Sequence, residues 1–333
     1  MHRALPYLRL LLPAFAFLIA ALGLLVAPPR AMAGETDAAP AAGHVRYGTP
    51  RRIATLEDLR IDESSGLAAG RGRPGVFWTH NDSGDAARLY AFDRRGRRLA
   101  TCTLEDVEAE DWEDIASFRR GGRHFLLVGD IGDNLWSRPE CTLFLLEEPA
   151  VGTPEKPVTA TVPVLRTIYF VYEGGPRDCE ALGVDPSDGR CYFVTKEGLR
   201  CKVFELAVPD EVFAPPKPGE GPAAATSGAQ EPHTARLIGE IATSPVVAMD
   251  ISPDGRRAIV LTYADAMEFV RREDETWRQA FARKPQTVVM PARRQGESVC
   301  YGTDGRTLYL TSEHTPTPLL EVPVVEAEEA KQP

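Results

Sequence analysis

The sequence predicts an all-β fold, a β-propeller of four-stranded blades. A short unit opening on a carboxylate recurs five times: Glu63-Ser64-Ser65-Gly66-Leu67, Glu113-Asp114-Ile115-Ala116, Glu180-Ala181-Leu182-Gly183-Val184, Asp250-Ile251-Ser252-Pro253 and Glu297-Ser298-Val299-Cys300. Most copies run on into a Gly/Asp turn and a second apolar strand. Recurrence at spacings of 50, 67, 70 and 47 residues is the signature of propellers and solenoids, whose units bury their faces against one another.

The elements follow in order. Each carboxylate opens a first strand. Turns come next at 70–75, 119–122, 185–189, 253–255 and 303–305, several of them Asp-Gly, a strong hairpin signal. Second strands read at 76–79, 124–128, 191–195, 258–262 and 308–311, and third strands at 88–93, 142–146, 201–206, 267–271 and 319–322. Fourth strands precede the next acid at 99–104, 165–171, 236–241 and 286–290. The last unit lacks one. The segment 51–56 resembles 99–104 and belongs to no unit of its own, so the N-terminal strand is expected to complete the last blade and remove its exposed edge. Counting gives five blades, or six if one hides between Pro139 and Pro176. Helix is nearly absent; 268–282 has helical composition in part, though its aromatic and β-branched residues suit strands as well.

Composition fits this architecture: 43% apolar and 26% charged residues are ordinary for a globular chain of 333 residues. Residues 1–33 read as a signal peptide, with Arg3 and Arg9, an apolar run at 10–27 and Ala31-Met32-Ala33 as the cleavage site. An uncleaved anchor is the alternative, and no later segment could span a bilayer. The net charge is −10, and removal of Arg3, Arg9 and Arg30 leaves −13. That balance disfavours nucleic acid and anionic membranes and suits cations or neutral ligands, a small molecule or protein ligand on the acidic face being the expected partner. Residues 34–44 read as a disordered leader, 45–323 as the propeller, 209–234 as a disordered insert and 324–333 as a disordered tail. The expected product is an extracytoplasmic monomer without a stable membrane span. Its six cysteines, Cys102, Cys141, Cys179, Cys191, Cys201 and Cys300, are expected to form disulfides there, Cys191–Cys201 across a hairpin being the first candidate.

Strand direction concentrates the chemistry on one face. The first strand leaves its acid and the second returns beside it, ending at His80-Asn81-Asp82-Ser83-Gly84, Gly129-Asp130-Ile131-Gly132-Asp133-Asn134, Thr195-Lys196-Glu197, Thr262-Tyr263 and Ser312-Glu313-His314. The opposite face carries Asp-Gly-Arg turns with Arg190, Arg256 and Arg306. Several carboxylates in one ring must take up protons, gain a cation or spend themselves on backbone N–H groups. Oxygen ligands with no Cys-x-x-Cys motif suit calcium or magnesium. The metal candidates are Glu63, Glu113, Asp130, Glu180, Asp250, Glu297 and Glu313. Ligand-binding candidates are Asn81, Asp82, Trp112, Lys196 and Tyr263, with Trp112 either stacking on a sugar or filling the mouth. Lys196 and Arg177 are the counter-charges. His80, His314, Glu113 and Asp130 are the candidates for acid–base work.

At Glu63–Leu67, Asn81–Gly84, Asp111–Asp114, Gly129–Asn134, Glu180–Asp185 and Glu297–Ser298 the chain resembles exported bacterial β-propellers of the SdiA-regulated type, grouped with phytase-like propellers. The resemblance covers about residues 60–322 and implies a propeller fold, an extracytoplasmic location and a calcium site. It supplies no catalytic residue. The dense aspartate clusters and basic phosphate pocket of propeller phytases are not evident in the sequence. Three functions remain: a cation-holding propeller that binds a small ligand or partner on its acidic face, a metal-dependent hydrolase of esters, lactones or phosphoesters, and a glycosidase.

Overall fold

A computed structural model describes residues 45–82, 84–215 and 231–325. The expected signal peptide and leader lie outside the described residues, as do 216–230 and 326–333. The chain is all-β and propeller-like. It has one α-helix, α1 (Trp277–Phe281), and a single 3-10 turn (Asp210–Phe213) among the described residues. None of these helices is long and apolar enough to cross a membrane.

Strand β1 (Arg51–Thr55) comes first, and its partner lies at the far end of the chain. The antiparallel order β2 (Ser64–Ala69), β3 (Val76–Asn81), β4 (Arg88–Asp93), β5 (Arg98–Leu104) makes the first sheet. Next come β6 (Trp112–Arg120), β7 (Arg123–Asp130) and β8 (Cys141–Glu147). β9 (Val158–Val162) returns to pair in parallel with β5 as a fifth strand on the first sheet. β10 (Arg166–Tyr172) then completes the second unit. The third unit is β11 (Cys179–Val184), β12 (Cys191–Thr195), β13 (Cys201–Leu206) and β14 (His233–Ile241). A parallel pairing of β10 with β14 fuses these two units into one eight-stranded sheet. The fourth sheet holds β15 (Val246–Ile251), β16 (Arg257–Thr262), β17 (Ala266–Val270) and β18 (Gln286–Val288). The last is β19 (Ser298–Tyr301), β20 (Leu308–Thr311), β21 (Pro318–Val322) and, outermost, β1, so the N-terminal strand completes this sheet as expected.

The first strands of the units adjoin in circular order, β2 to β6, β11, β15, β19 and back to β2. Five apolar clusters fill the gaps between consecutive sheets. Trp78 and Leu89 meet Trp112 and Phe144, for example, and Phe77 and Phe92 meet Cys300 and Tyr309 across the closure. Packing on both faces explains why β2, β3, β11, β12, β15 and β16 are buried at every residue. Burying one such aromatic or aliphatic side chain contributes about 1.5–3 kcal/mol, so the seams hold the sheets together.

Three expectations change. All six cysteines are buried free thiols. Cys191 pairs with Leu206 and Cys201 with Ile241, which sets the two cysteines at opposite ends of the β12–β13 ladder. Four to five residues of strand separate them, about 15 Å at ~3.3 Å per residue, beyond the reach of a disulfide. The start of the insert is structured: the 3-10 turn seats Phe213 edge-on against Phe118, and His233 and Thr234 already belong to β14. At the C-terminus, Val324 bridges to Tyr47 and the Val325 N–H donates to Arg46 O at 2.8 Å, so the ordered body extends past 323.

Candidate functional site

Three first strands open with a bulge that spans two residues: 65–66 in β2, 113–114 in β6 and 180–181 in β11; β15 has a one-residue version at Val247. A bulge re-aims side chains and commonly sits beside functional sites. Ser65, Glu113 and Glu180 therefore occupy equivalent positions, with Val247 in the same place in β15. The expected single acid per unit holds in only two of these four. Asp250 is a correction. It lies three residues beyond Val247, about 10 Å along the strand, towards the 253–255 turn. There its Oδ2 accepts the Tyr301 N–H at 2.8 Å, and burial pushes its pKa up to about 7, against the pull of Arg71. It belongs to the inter-sheet seam and not to the acidic cluster, because a recurring residue type does not specify register.

The second bulge residue of β6, Asp114, is fully buried with φ +61, a left-handed conformation uncommon for a side-chain-bearing residue. Its Oδ2 accepts the N–H of Leu182 at 2.9 Å and of Met249 at 3.0 Å, and its Oδ1 accepts that of Ile115. This carboxylate ties three units together. The equivalent residue in β2 is Gly66, and a Cβ there would lie 2.9 Å from Asp114 Cα and 2.7 Å from His80 Nε2.

Glu113 anchors the cluster. It is buried, and its Oε2 accepts from Ser65 Oγ. One ligand oxygen each from Asp82, Asp111 and Glu113 lie within 4.8 Å of one another. Asp82 follows β3, with its N–H on Glu63 O at 2.8 Å. Asp111 precedes β6 and lies against Gly132, where a Cβ would come within 2.5 Å of its carboxylate. Burial, then Asp82, push Asp111 up to about 7, against the pull of Arg138. Burial, then Glu180 and Asp82, push Glu113 well above the usual range.

A second group adjoins it. Burial pushes Glu180 up to about 9, with Lys196 opposing and Glu297 reinforcing. Lys196 Nζ pairs with Glu180 Oε1, lies 4.0 Å from Glu297 Oε1 and sits 5.7 Å from the Tyr263 ring centroid. Burial works against the Lys196 charge, but Glu180 outweighs it and raises the pKa. The second oxygen of Glu180, Oε2, is buried without a partner among the described residues. Tyr263 donates its hydroxyl to Glu297 Oε1. Burial, then a hydrogen bond shared with Glu297, push Glu313 up to about 8. Glu63 is exposed at the rim, its pKa raised by partial burial, then Asp62 and Asp82. Asp178 is raised by burial and opposed by the Asp133 N–H and Lys196.

Other candidates are placed elsewhere. Trp112 is 1% exposed, packed with His80 and Phe144, so it fills the seam and offers no stacking platform. His80 is 0% exposed with Nδ1 2.9 Å from Asn81 O, and burial lowers its pKa. His314 is half-buried, with Nε2 2.8 Å from Gln295 Oε1. The two rings share no partner, so they form no acid–base pair. Asn81 is committed to the Arg60 carbonyl at 2.6 Å and the Glu63 N–H at 3.3 Å. Asp130 accepts the N–H of Glu110 at 3.0 Å and of Asp111 at 3.2 Å and pairs with Arg138 at 2.7 Å, so it positions the Asp111 loop. Arg177 faces Glu197 at 3.7 Å and the Trp136 ring, leaving Lys196 as the counter-charge of the cluster. Sequence reasoning missed Asp111, Asp114 and Asp178 as participants. Asp111 stands just before β6 and Glu113 in its bulge, so strand periodicity did not flag their convergence.

No protein-family model matches the chain, and no curated protein matches it. Among solved structures, the chain is similar to a Bacteroides uniformis protein provisionally described as a 6-phosphogluconolactonase, at 14% identity over 80% of this chain and 68% of that one, with a TM-score of 0.38. It is also similar to a Bacteroides thetaiotaomicron protein provisionally described as a phosphatase, at 10% identity over 86% and 80% of the two chains, with a TM-score of 0.47.

Proposed function

We propose that this chain is an exported five-bladed propeller whose acidic mouth binds a divalent cation, calcium foremost, and presents it to a small ligand or partner. The circular adjacency of the five first strands supports the blade count. The observation that carries the function is the convergence of Asp82, Asp111 and Glu113 oxygens within 4.8 Å. These come from two adjacent sheets, and every donor is a hard oxygen, the set that calcium and magnesium prefer. The raised pKa values of Asp111 and Glu113 are the mark of a site short of positive charge, which a cation supplies. Melting the metal-depleted protein with and without added calcium tests the proposal. A higher midpoint with calcium, together with metal found by elemental analysis of untreated protein, is expected. An unchanged midpoint and no metal would remove it.

A hydrolase is the second reading, favoured by one observation. Glu180, whose Oε2 is unpartnered among the described residues, and Glu313 are proton-holding groups beside the cation site. A cation there would polarise a bound ester, lactone or phosphoester oxygen and lower the pKa of water; Glu180 and Glu313 would give or take protons. Turnover of any such substrate, lost in Glu180→Gln, supports this reading. The buried Trp112 removes the sugar platform, so nothing favours the glycosidase.

A further inference from the structure

A cavity of about 460 Å³ is bounded by residues 50–52, 291–294 and 312–320. The chain is net −10, yet the wall of this cavity carries Arg51, Arg52, Arg293, Arg294 and His314 against the single carboxyl of Glu313. Arg51 is already paired with Glu321 at 2.6 Å. Arg52 donates to Ala54 O and Thr55 Oγ1, neither of which carries charge. Arg293 donates to the carbonyls of Thr262, of Ala264 at 3.0 Å and of Pro291 at 3.3 Å, and its Nε is buried without a partner. Carbonyls fix a guanidinium without cancelling its charge. Among the described residues, no carboxylate is ion-paired with Arg52, Arg293 or Arg294. The other basic cavity differs: there Arg120 pairs with Asp210 and Arg123 with Glu147.

We propose that this cavity binds the oxyanion of a small ligand, a carboxylate or a phosphate, through Arg52 and Arg294, with Arg293, held by carbonyls in the wall, adding only its charge. The guanidinium fork matches both oxyanions bidentately. The volume is that of a small-molecule site, and the prolines of the wall offer an apolar surface to the body of the ligand. Glu313 lines the cavity and is hydrogen-bonded to Glu297 of the acidic cluster, so a ligand held here by its anionic end extends towards the mouth. The proposal does not depend on a bound cation.

Calorimetric titration of the purified protein with inorganic phosphate, and separately with citrate, in metal-depleted buffer tests it. Saturable binding of at least one is expected. Binding of phosphate alone assigns a phosphoryl group and binding of citrate alone a carboxylate. The Arg52→Ala/Arg294→Ala double variant alters exposed side chains and should weaken binding at least about tenfold; Arg294→Glu should weaken it further. Arg119→Ala, in another basic cavity, should bind as wild type. Absence of saturable heat with either probe up to about 10 mM, or equal weakening by Arg119→Ala, overturns the proposal. So does a normally melting double variant that binds as wild type.

Discussion

The carboxylate of Asp114 accepts the backbone N–H of Met249 at 3.0 Å, across 135 positions of sequence. The same oxygen holds Leu182 N–H, so one buried acid joins the second, third and fourth units inside the ring. Asp114→Ala strands these donors in the interior, where each costs about 1–3 kcal/mol. A loss of about 3–5 kcal/mol in denaturant unfolding is expected, with the cation site damaged only through the neighbouring Glu113. A loss below about 1 kcal/mol would show that the bond does not tie the units.

The raised carboxyls set a pH dependence. Asp111 at about 7, Glu313 at about 8 and Glu180 at about 9 all stand above the unfolded carboxyl range. The folded protein then holds more protons than the unfolded chain between roughly pH 4 and 9. Their contribution is fully present below the unfolded values and is lost as pH rises through 7, 8 and 9. Metal-free protein should melt lower at pH 9 than at pH 5. Added calcium should narrow the gap, since cation binding displaces those protons. A midpoint that rises with pH in metal-free buffer would contradict the raised values.

Thiol chemistry separates the free cysteines from the expected bridges. Burial pushes Cys102 up to about 11 and Cys141 up to about 12. Native protein should react slowly with a thiol reagent, while denaturant without reductant should expose six thiols. Two or more missing thiols would mean that a disulfide forms.

Closure by β1 is the next test. A chain starting at residue 57 loses the β1–β21 ladder and uncovers β21 as an edge. It should melt lower and aggregate at concentrations where the full chain is monodisperse. Unchanged stability would show that closure is dispensable.

The sheet order was readable because turn chemistry and strand spacing are local: Asp254-Gly255 and Asp304-Gly305 mark their hairpins, with φ +65 and +68 at the two glycines. The closing strand was readable because 51–56 had no other place. The acidic mouth was half readable. Glu113, Glu180, Glu297 and Glu313 gather as their strand-end positions implied. Asp250 does not, because the one-residue bulge at Val247 sets its register and a bulge leaves no mark in residue type. The basic cavity was invisible, since its arginines come from 52 and 293–294, brought together only when the N-terminal strand closes the last sheet.

Calcium titration of wild type against Asp82→Asn and Glu113→Gln tests the cation site most directly. Wild type should bind one ion saturably and gain about 5–10 °C in melting midpoint at a hundredfold excess over Kd. Each variant should lose at least about tenfold in affinity while melting near wild type in metal-free buffer. A wild type that neither binds nor shifts, or variants that bind calcium as tightly as wild type, would contradict a metal held by these three carboxylates.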